Sequence, residues 1–401
     1  MKSVIERFMK YISIDTQSDE LSTSSPSTAK QFDLARVLAD EMREIGVSNV
    51  RLDEEHCYVY GEIPANVEGG RKLGLISHMD TAEGAPGDAS GARIVENYDG
   101  GIIGLNDKVV LDPEVFDHMK HYIGKDLIVT DGCSLLGADD KAGVAEIMTL
   151  AERLLKDDSI KHGKVSIAFT PDEEVGRGVD FFDIEGFDAE CAYTVDGGAL
   201  GELEYENFNA ATAYVTIHGR DIHPGEAKSR MINAARLAAE FDSLIPQQMR
   251  PEFTDGYDGF FHMYHIEGDA ALTEMQYLIR DHDATLFNKK KEIMQAAAEF
   301  INAKYGRVAE VEIRDMYKNM KELVEPHMYL IDEAKAAFEA CGVEPIVKPI
   351  RGGTDGAMLS YKGLPCPNLS TGGHNYHSNT EYIPVQSMET MVDVLTEIVK
   401  A

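Results

Sequence analysis

The chain has 401 residues, of which 43% are hydrophobic and 27% charged, and 38 Lys and Arg face 70 Asp and Glu for a formal charge of −32. Such a field repels phosphate backbones and anionic headgroups, which argues against nucleic-acid and membrane partners, and no apolar run approaches the roughly 18 residues needed to span a bilayer. The length exceeds what one hydrophobic core sustains, so two domains are expected, while Cys57, Cys133, Cys191, Cys341 and Cys366, odd in number and without a CxxC spacing, speak against a disulfide framework and for a cytoplasmic protein.

At the start of the chain Glu6, Arg7 and Lys10 interrupt apolar positions at helical spacing, which predicts a folded helix and not a secretory leader. Residues 18 to 28 read as a polar loop, and Ser27 as the cap of a helix running through Leu34, Leu38, Met42 and Ile45 to a stop at Gly46. Four apolar runs follow, LGLISH, KDLIVT, KVSIAFT and CAYTVD, each closing in a polar cluster and separated by helical patterns such as GVAEIMTLAERLL. That rhythm predicts an α/β domain with a mixed, largely parallel sheet. From 208 to 321 the order becomes βαββαβ, a ferredoxin-like unit able to stand as its own domain. The helix–strand pattern then resumes. The expected organisation is a discontinuous catalytic domain of residues 1–207 and 322–401, interrupted by an inserted domain of residues 208–321.

The chemistry-bearing residues gather at the ends of the apolar runs. His78 and Asp80 lie two apart, so they share a face at the C-terminal edge of a strand, where open α/β sheets place their sites; His78 can bind a metal while Asp80 fixes its tautomer. Asp139 and Asp140 open a helix, and capping would use one of them and leave the other free. Asp172, Glu173 and Glu174 crowd the end of a strongly apolar strand, which is costly without a cation or a proton between them. Asp196 ends another strand before two glycines, and His374 and His377 follow Gly372 and Gly373 in a loop. Each of these, taken alone, reads equally as an ordinary turn, cap or surface histidine. Taken together they form a carboxylate and imidazole set suited to zinc, with manganese or cobalt as substitutes, and five ligands suit two ions better than one.

The motifs SLLGADDKAGVAEIMT, AFTPDEEVG, AYTVDGG, GELEYENFNAA, HPGEAK, KPIRGGTDGAMLS and GLPCPNLSTGGHNYH make the chain similar, end to end, to the peptidase T (tripeptide aminopeptidase) family of co-catalytic zinc exopeptidases. The resemblance implies a zinc-exopeptidase catalytic domain with an inserted ferredoxin-like βαββαβ lid. It also implies two zinc ions per subunit on His78, Asp139 (bridging), Glu174, Asp196 and His377, with Asp80 orienting His78 and Glu173 as general base. Asp140 is then a neighbour only, and His374 is not carried over. His223 is implied to sit over the scissile carbonyl. Arg280 and Arg351 are candidates for the substrate's carboxylate or backbone oxygen, with an internal salt bridge to Asp281 or Asp355 as the alternative for each. The expected activity is hydrolysis of the N-terminal bond of short peptides, preferably tripeptides, by solvent held between the two ions. A dipeptidase, carboxypeptidase or aminoacylase with the same metal core, a non-catalytic peptide- or metal-binding protein, and a homodimer formed through the inserted domain all stay open.

Overall fold

The computed structural model describes residues 2–400, and the chain divides into two units. The first comprises Met1–Tyr205, Glu322–Lys348 and Thr354–Ala401, and the second Glu206–Lys321 with the short segment Pro349–Gly353.

In the first unit eight strands lie in the order 48–52, 59–63, 165–170, 73–78, 191–195, 368–369, 202–204, 346–347. The four central strands run parallel, and antiparallel neighbours on either side make the sheet mixed. Leu73–His78, Val165–Thr170 and Cys191–Val195 are buried at every residue, as strands covered on both faces must be. Charged side chains are therefore pushed to the strand ends. The run KDLIVT departs from expectation. Its strand Leu127–Val129 pairs with Arg93–Val95 and Tyr382–Pro384 in a separate antiparallel sheet, over a small core of Tyr98, Leu111, Met119 and Tyr382. With an antiparallel partner on each side, the backbone N–H and C=O groups of this three-residue strand are satisfied in the small sheet.

The first helix, Val4–Ile12, opens with a capping box between Ser3 and Glu6. Its Arg7 is fully buried and pairs with Glu41 at 2.9 Å and Glu152 at 2.6 Å, which ties it to the helices Gln31–Ile45 and Ala138–Lys156. Gln31–Ile45 does end at a left-handed Gly46 (φ 97°), but Ser27 is not its cap, because Lys30 holds that position without a side-chain bond. The Ser27 N–H and hydroxyl instead donate to the Asp172 carboxylate, at 2.7 Å and 2.5 Å, so the polar loop 18–28 is fastened beside Glu173. The helix Ala138–Lys156 makes its closest approach to the large sheet at Gly143. A Cβ there would lie 2.0 Å from the Val195 carbonyl oxygen and 2.5 Å from Ser77 Oγ, so only glycine fits.

The second unit has the βαββαβ order, with strands Asn209–His218, Phe260–Gly268, Leu272–Asp281 and Ala309–Tyr317 and helices Ala234–Leu244 and Ala284–Tyr305. Spatially the strands run 260–268, 272–281, 209–218, 309–317, all antiparallel, which is the ferredoxin-like arrangement. Ala211, Ala213, Val215 and Ile217 alternate along one strand to meet Phe241, Met294 and Ile301 of the two helices. Among the described residues no helix is long and apolar enough to cross a membrane.

Gly143→Ala forces a methyl group against backbone that cannot rotate away. It should lower stability by roughly 1–3 kcal/mol or more, read as a shift in the urea unfolding midpoint.

Candidate metal centre and active site

Three neighbouring parallel strands deliver the centre of the site from their C-terminal ends. Leu73–His78 ends in His78; Val165–Thr170, in register with it at Thr170, leads into a 3-10 turn at Glu173–Val175; Cys191–Val195 leads into Asp196. Asp139 comes from the start of the helix Ala138–Lys156, and His377, in a left-handed conformation (φ 57°), from the loop before the helix Val385–Val399.

The side chains converge on Asp139. Its Oδ1 lies 2.9 Å from His78 Nε2, and its Oδ2 lies 3.1 Å from His377 Nε2. Each imidazole meets a second carboxylate: His78 Nε2 is 3.6 Å from Asp196 Oδ1, and His377 Nε2 is 3.0 Å from Glu174 Oε2. Glu173 Oε2 stands 4.0 Å from His78 Nε2. On the other side of the ring, His78 Nδ1 lies 3.0 Å from the Asp80 carbonyl oxygen and 3.3 Å from its Oδ1. The Asp80 carboxylate also accepts the backbone N–H groups of Glu173 (3.0 Å) and Glu174 (3.2 Å), so it fixes the acidic turn as well as the ring. Asp140 is wholly buried and accepts the His78 backbone N–H at 3.2 Å. The sequence-expected His78, Asp80, Asp139, Glu173, Glu174, Asp196 and His377 are thus all brought together within the first unit.

The electrostatics follow from the crowding. Burial works against a charged His78, but Asp196, Asp139 and Asp80 outweigh it and hold the imidazole well above its usual range. Hydrogen bonds to Asp139 and Glu174 raise His377 to about 11. Burial works against a charged Asp139 too, yet the bonds from His377 and His78 hold it well below the usual carboxylate range. Burial, then the Asp139 charge, pushes Glu174 up to about 7, and burial leads the upward shifts of Glu173 and Asp196. Glu174 Oε1 is buried with no hydrogen-bond partner. The donor atoms of His78, Asp139 and Glu174, and those of His78, Glu173 and Asp196, lie within 4.8 Å of one another. Nitrogen and oxygen ligands about 2.0–2.1 Å from a tetrahedral zinc stand about 3.3 Å apart, so the 2.9–3.6 Å spacings fit a divalent cation without rearrangement.

Asp172 and His374, both singled out in the sequence, take supporting places, while Glu381 is a residue that the sequence motifs do not mark. His374 accepts from the Tyr122 hydroxyl at 2.7 Å and stacks on His118, with ring centroids 4.5 Å apart. Asp172 takes Ser27 and Gln31 as donors. Glu381, four residues past His377, is 1% exposed and faces the Asp139 segment. Nothing local in the sequence marks Glu381, since its partners Leu136, Gly137 and Asp139 lie 242 to 245 residues earlier.

His223, Arg280 and Arg351 belong to the second unit. His223 is exposed, with Nδ1 accepting the Gly225 N–H at 3.1 Å. Arg280 is buried and donates to the carbonyls of Ala211 (3.2 Å) and Ile279 (3.1 Å), while Asp281 is paired with Lys290, so the Arg280–Asp281 alternative is not what forms. Arg351 donates to the carbonyls of Gly256 (2.6 Å) and Asp258 (3.1 Å) and lies over the rings of Phe208 and Phe260. The carboxylate of Asp355 accepts from Thr170 Oγ1 at 2.8 Å.

Residues 130–401 match the model of the peptidase family M20/M25/M40. Over its whole length the chain is 53% identical to Peptidase T of Clostridium acetobutylicum, covering 99% of that protein. Among solved structures, aminopeptidase PepT of Bacillus cereus superposes with a TM-score of 0.78 at 24% identity, over 99% of this chain and 97% of that one. A dinuclear metal-binding M20 peptidase of Bacillus subtilis superposes at 0.68 with 12% identity, over 99% and 96%. At these identities the two structures establish the shared fold. Fold and family together define a hydrolase of the metallopeptidase class. The chain belongs to peptidase family M20/M25/M40.

Replacing the shared carboxylate by an amide in Asp139→Asn should cut bound divalent metal by roughly half or more, measured by elemental analysis after dialysis, because the amide offers one acceptor oxygen where the carboxylate turns one to each imidazole.

Proposed function

We propose that the chain is an aminopeptidase that removes the N-terminal residue of short peptides, tripeptides preferred, using two divalent cations, zinc first and manganese or cobalt as substitutes. The observation that carries this reading is Asp139, whose two oxygens each face a different imidazole, with Asp196 completing one side and Glu174 the other. His78, Asp139 and Asp196 would hold one cation, and His377, Asp139 and Glu174 the second. When bound, the pair supplies Lewis acidity, making water more acidic and polarising a peptide carbonyl.

The protein's own groups do the rest. Glu173, beside the ligands but outside both sets, is placed to take a proton from water and return it to the leaving amine. Burial raises its carboxyl well above the ordinary range, which brings its proton affinity nearer to that of the groups it exchanges with. Asp80 keeps it in place through the Glu173 N–H. In the second unit, exposed His223 is the proposed contact to the scissile carbonyl, and Arg280 and Arg351 the proposed contacts to the substrate's carboxylate or backbone oxygen. All five cysteines are free thiols, which supports a reducing, cytoplasmic setting.

Glu173→Gln should retain its metal while turnover of a free tripeptide falls by roughly 10²–10⁴-fold; near-normal hydrolysis would remove Glu173 from the role. The wild-type protein should cleave free tripeptides and leave N-acetylated ones intact. Equal cleavage of both would point instead to an enzyme that reads the carboxyl end.

A further inference from the structure

Near the start of the span Ala138–Lys156, Asp139 (φ −91°, ψ 103°) and Asp140 (φ −125°, ψ 28°) are not helical, so the segment that leads into the regular helix has N–H groups that need an acceptor. Neither aspartate supplies it. Gly137 stands at the cap position in a left-handed conformation (φ 76°), with no side-chain cap bond of its own. The acceptor comes from far along the chain. Glu381 Oε2 takes the N–H groups of Leu136 at 2.8 Å and Gly137 at 2.9 Å, and Glu381 Oε1 takes that of Asp139 at 3.1 Å. The carboxylate is 1% exposed, so the three bonds compete little with water, and N–H groups donating to a carboxylate make strong hydrogen bonds.

Two consequences follow for the site. First, because Glu381 takes the N–H groups of the segment leading into the helix, the Asp139 carboxylate is not drawn back to them, and both its oxygens are left to face His78 and His377. Second, Glu381 lies on the same loop as His377. That loop is closed on itself by paired backbone bonds between His374 and Tyr382, of 2.9 Å and 3.1 Å. One buried carboxylate thereby sets the spacing between the segment that presents Asp139 and the segment that presents His377. Both its oxygens are engaged with backbone, so Glu381 acts through Asp139.

We propose that Glu381 is a positioning residue for the metal centre, which aims the shared carboxylate of Asp139 and holds it at bonding distance from His377. The proposal rests on the two-cation reading of the site. A carboxylate is required because all three groups that it meets are donors; an amide in its place turns one acceptor into an N–H₂ that opposes an N–H.

The test uses the full chain carrying Glu381→Gln, with Glu381→Asp as the variant to fall back on if the amide does not fold, and Phe241→Leu, in the core of the second unit, as a control that loses stability without touching the metal centre. Folding is checked by circular dichroism, Co²⁺ affinity is measured by titration against a chelator, and the visible spectrum of the Co²⁺ protein reports on coordination. Folded Glu381→Gln should bind at least one of two Co²⁺ ions roughly 10–100-fold more weakly, the range typical when a group that orients a ligand is lost, with a changed spectrum. Phe241→Leu should bind both as the wild type does. Wild-type affinities and an unchanged spectrum in the Glu381 variant overturn the proposal alone, as does an equal loss of affinity in Phe241→Leu. A wild-type protein that binds no Co²⁺ overturns the two-cation reading and this proposal with it.

Discussion

Four carboxylates and two imidazoles are pressed together at the ends of strands that are buried at every residue, and most of the first unit's local design answers the charge this creates. His78 is 2% exposed and has Asp139, Asp196 and Glu173 within 2.9–4.0 Å of one ring nitrogen. Like charges so placed in a weakly screening interior cannot all remain ionised without a cation. In the protein alone, protons meet the need: both imidazoles are held in their charged form, and Glu174 is lifted to about 7. A divalent cation answers the same need with more charge in less space, which is the physical basis for the metal reading.

The carboxylates of this region sort into two kinds by what their oxygens accept. Asp80 is bonded to the N–H groups of Glu173 and Glu174, Asp172 to Ser27 and Gln31, and Glu381 to Leu136, Gly137 and Asp139. Their oxygens are occupied by donors, mostly from the backbone, and they shape loops. Asp139, Glu174 and Asp196 meet imidazoles, and Glu174 keeps one buried oxygen with no donor at all. A carboxylate provided with backbone donors gains little from a cation, whereas one without them gains a great deal. Asp140 falls between the two kinds: one oxygen accepts the His78 N–H, while the other, like Glu174 Oε1, is buried with no donor.

The same distinction explains what the sequence could reveal. The large-sheet strands were legible because a buried run that stops abruptly in acid or histidine leaves few alternatives, and the second unit because its βαββαβ order was unbroken. Ser27 was misjudged because capping rules are local, while its partner Asp172 lies 145 residues away. For Asp139 the choice between cap and site is not local either, since the acceptor for the N–H groups of this segment is Glu381, 242 residues from Asp139. KDLIVT had the composition of a core strand, but composition does not say which sheet a strand will join. The donors of Arg280 and Arg351 go to backbone carbonyls, which no side-chain pattern announces.

The adjacency of Glu173 and Glu174 is the point where local geometry and proposed chemistry meet. On a regular strand two successive side chains would face opposite sides of the sheet, and only one could reach the site. The chain avoids this by leaving the strand at Thr170 and entering a 3-10 turn at Glu173–Val175, preceded by Asp172 in a left-handed conformation (φ 55°). With three residues per turn, neighbouring side chains diverge by about 120° and can serve two places in one cavity. Glu174 reaches His377, and Glu173 stands off His78 at a distance too long for a hydrogen bond. That gap matters, since a carboxylate bonded directly to the imidazole would have its basicity spent. Held 4.0 Å away by Asp80's grip on its own N–H, Glu173 keeps room for the water whose proton it is proposed to take.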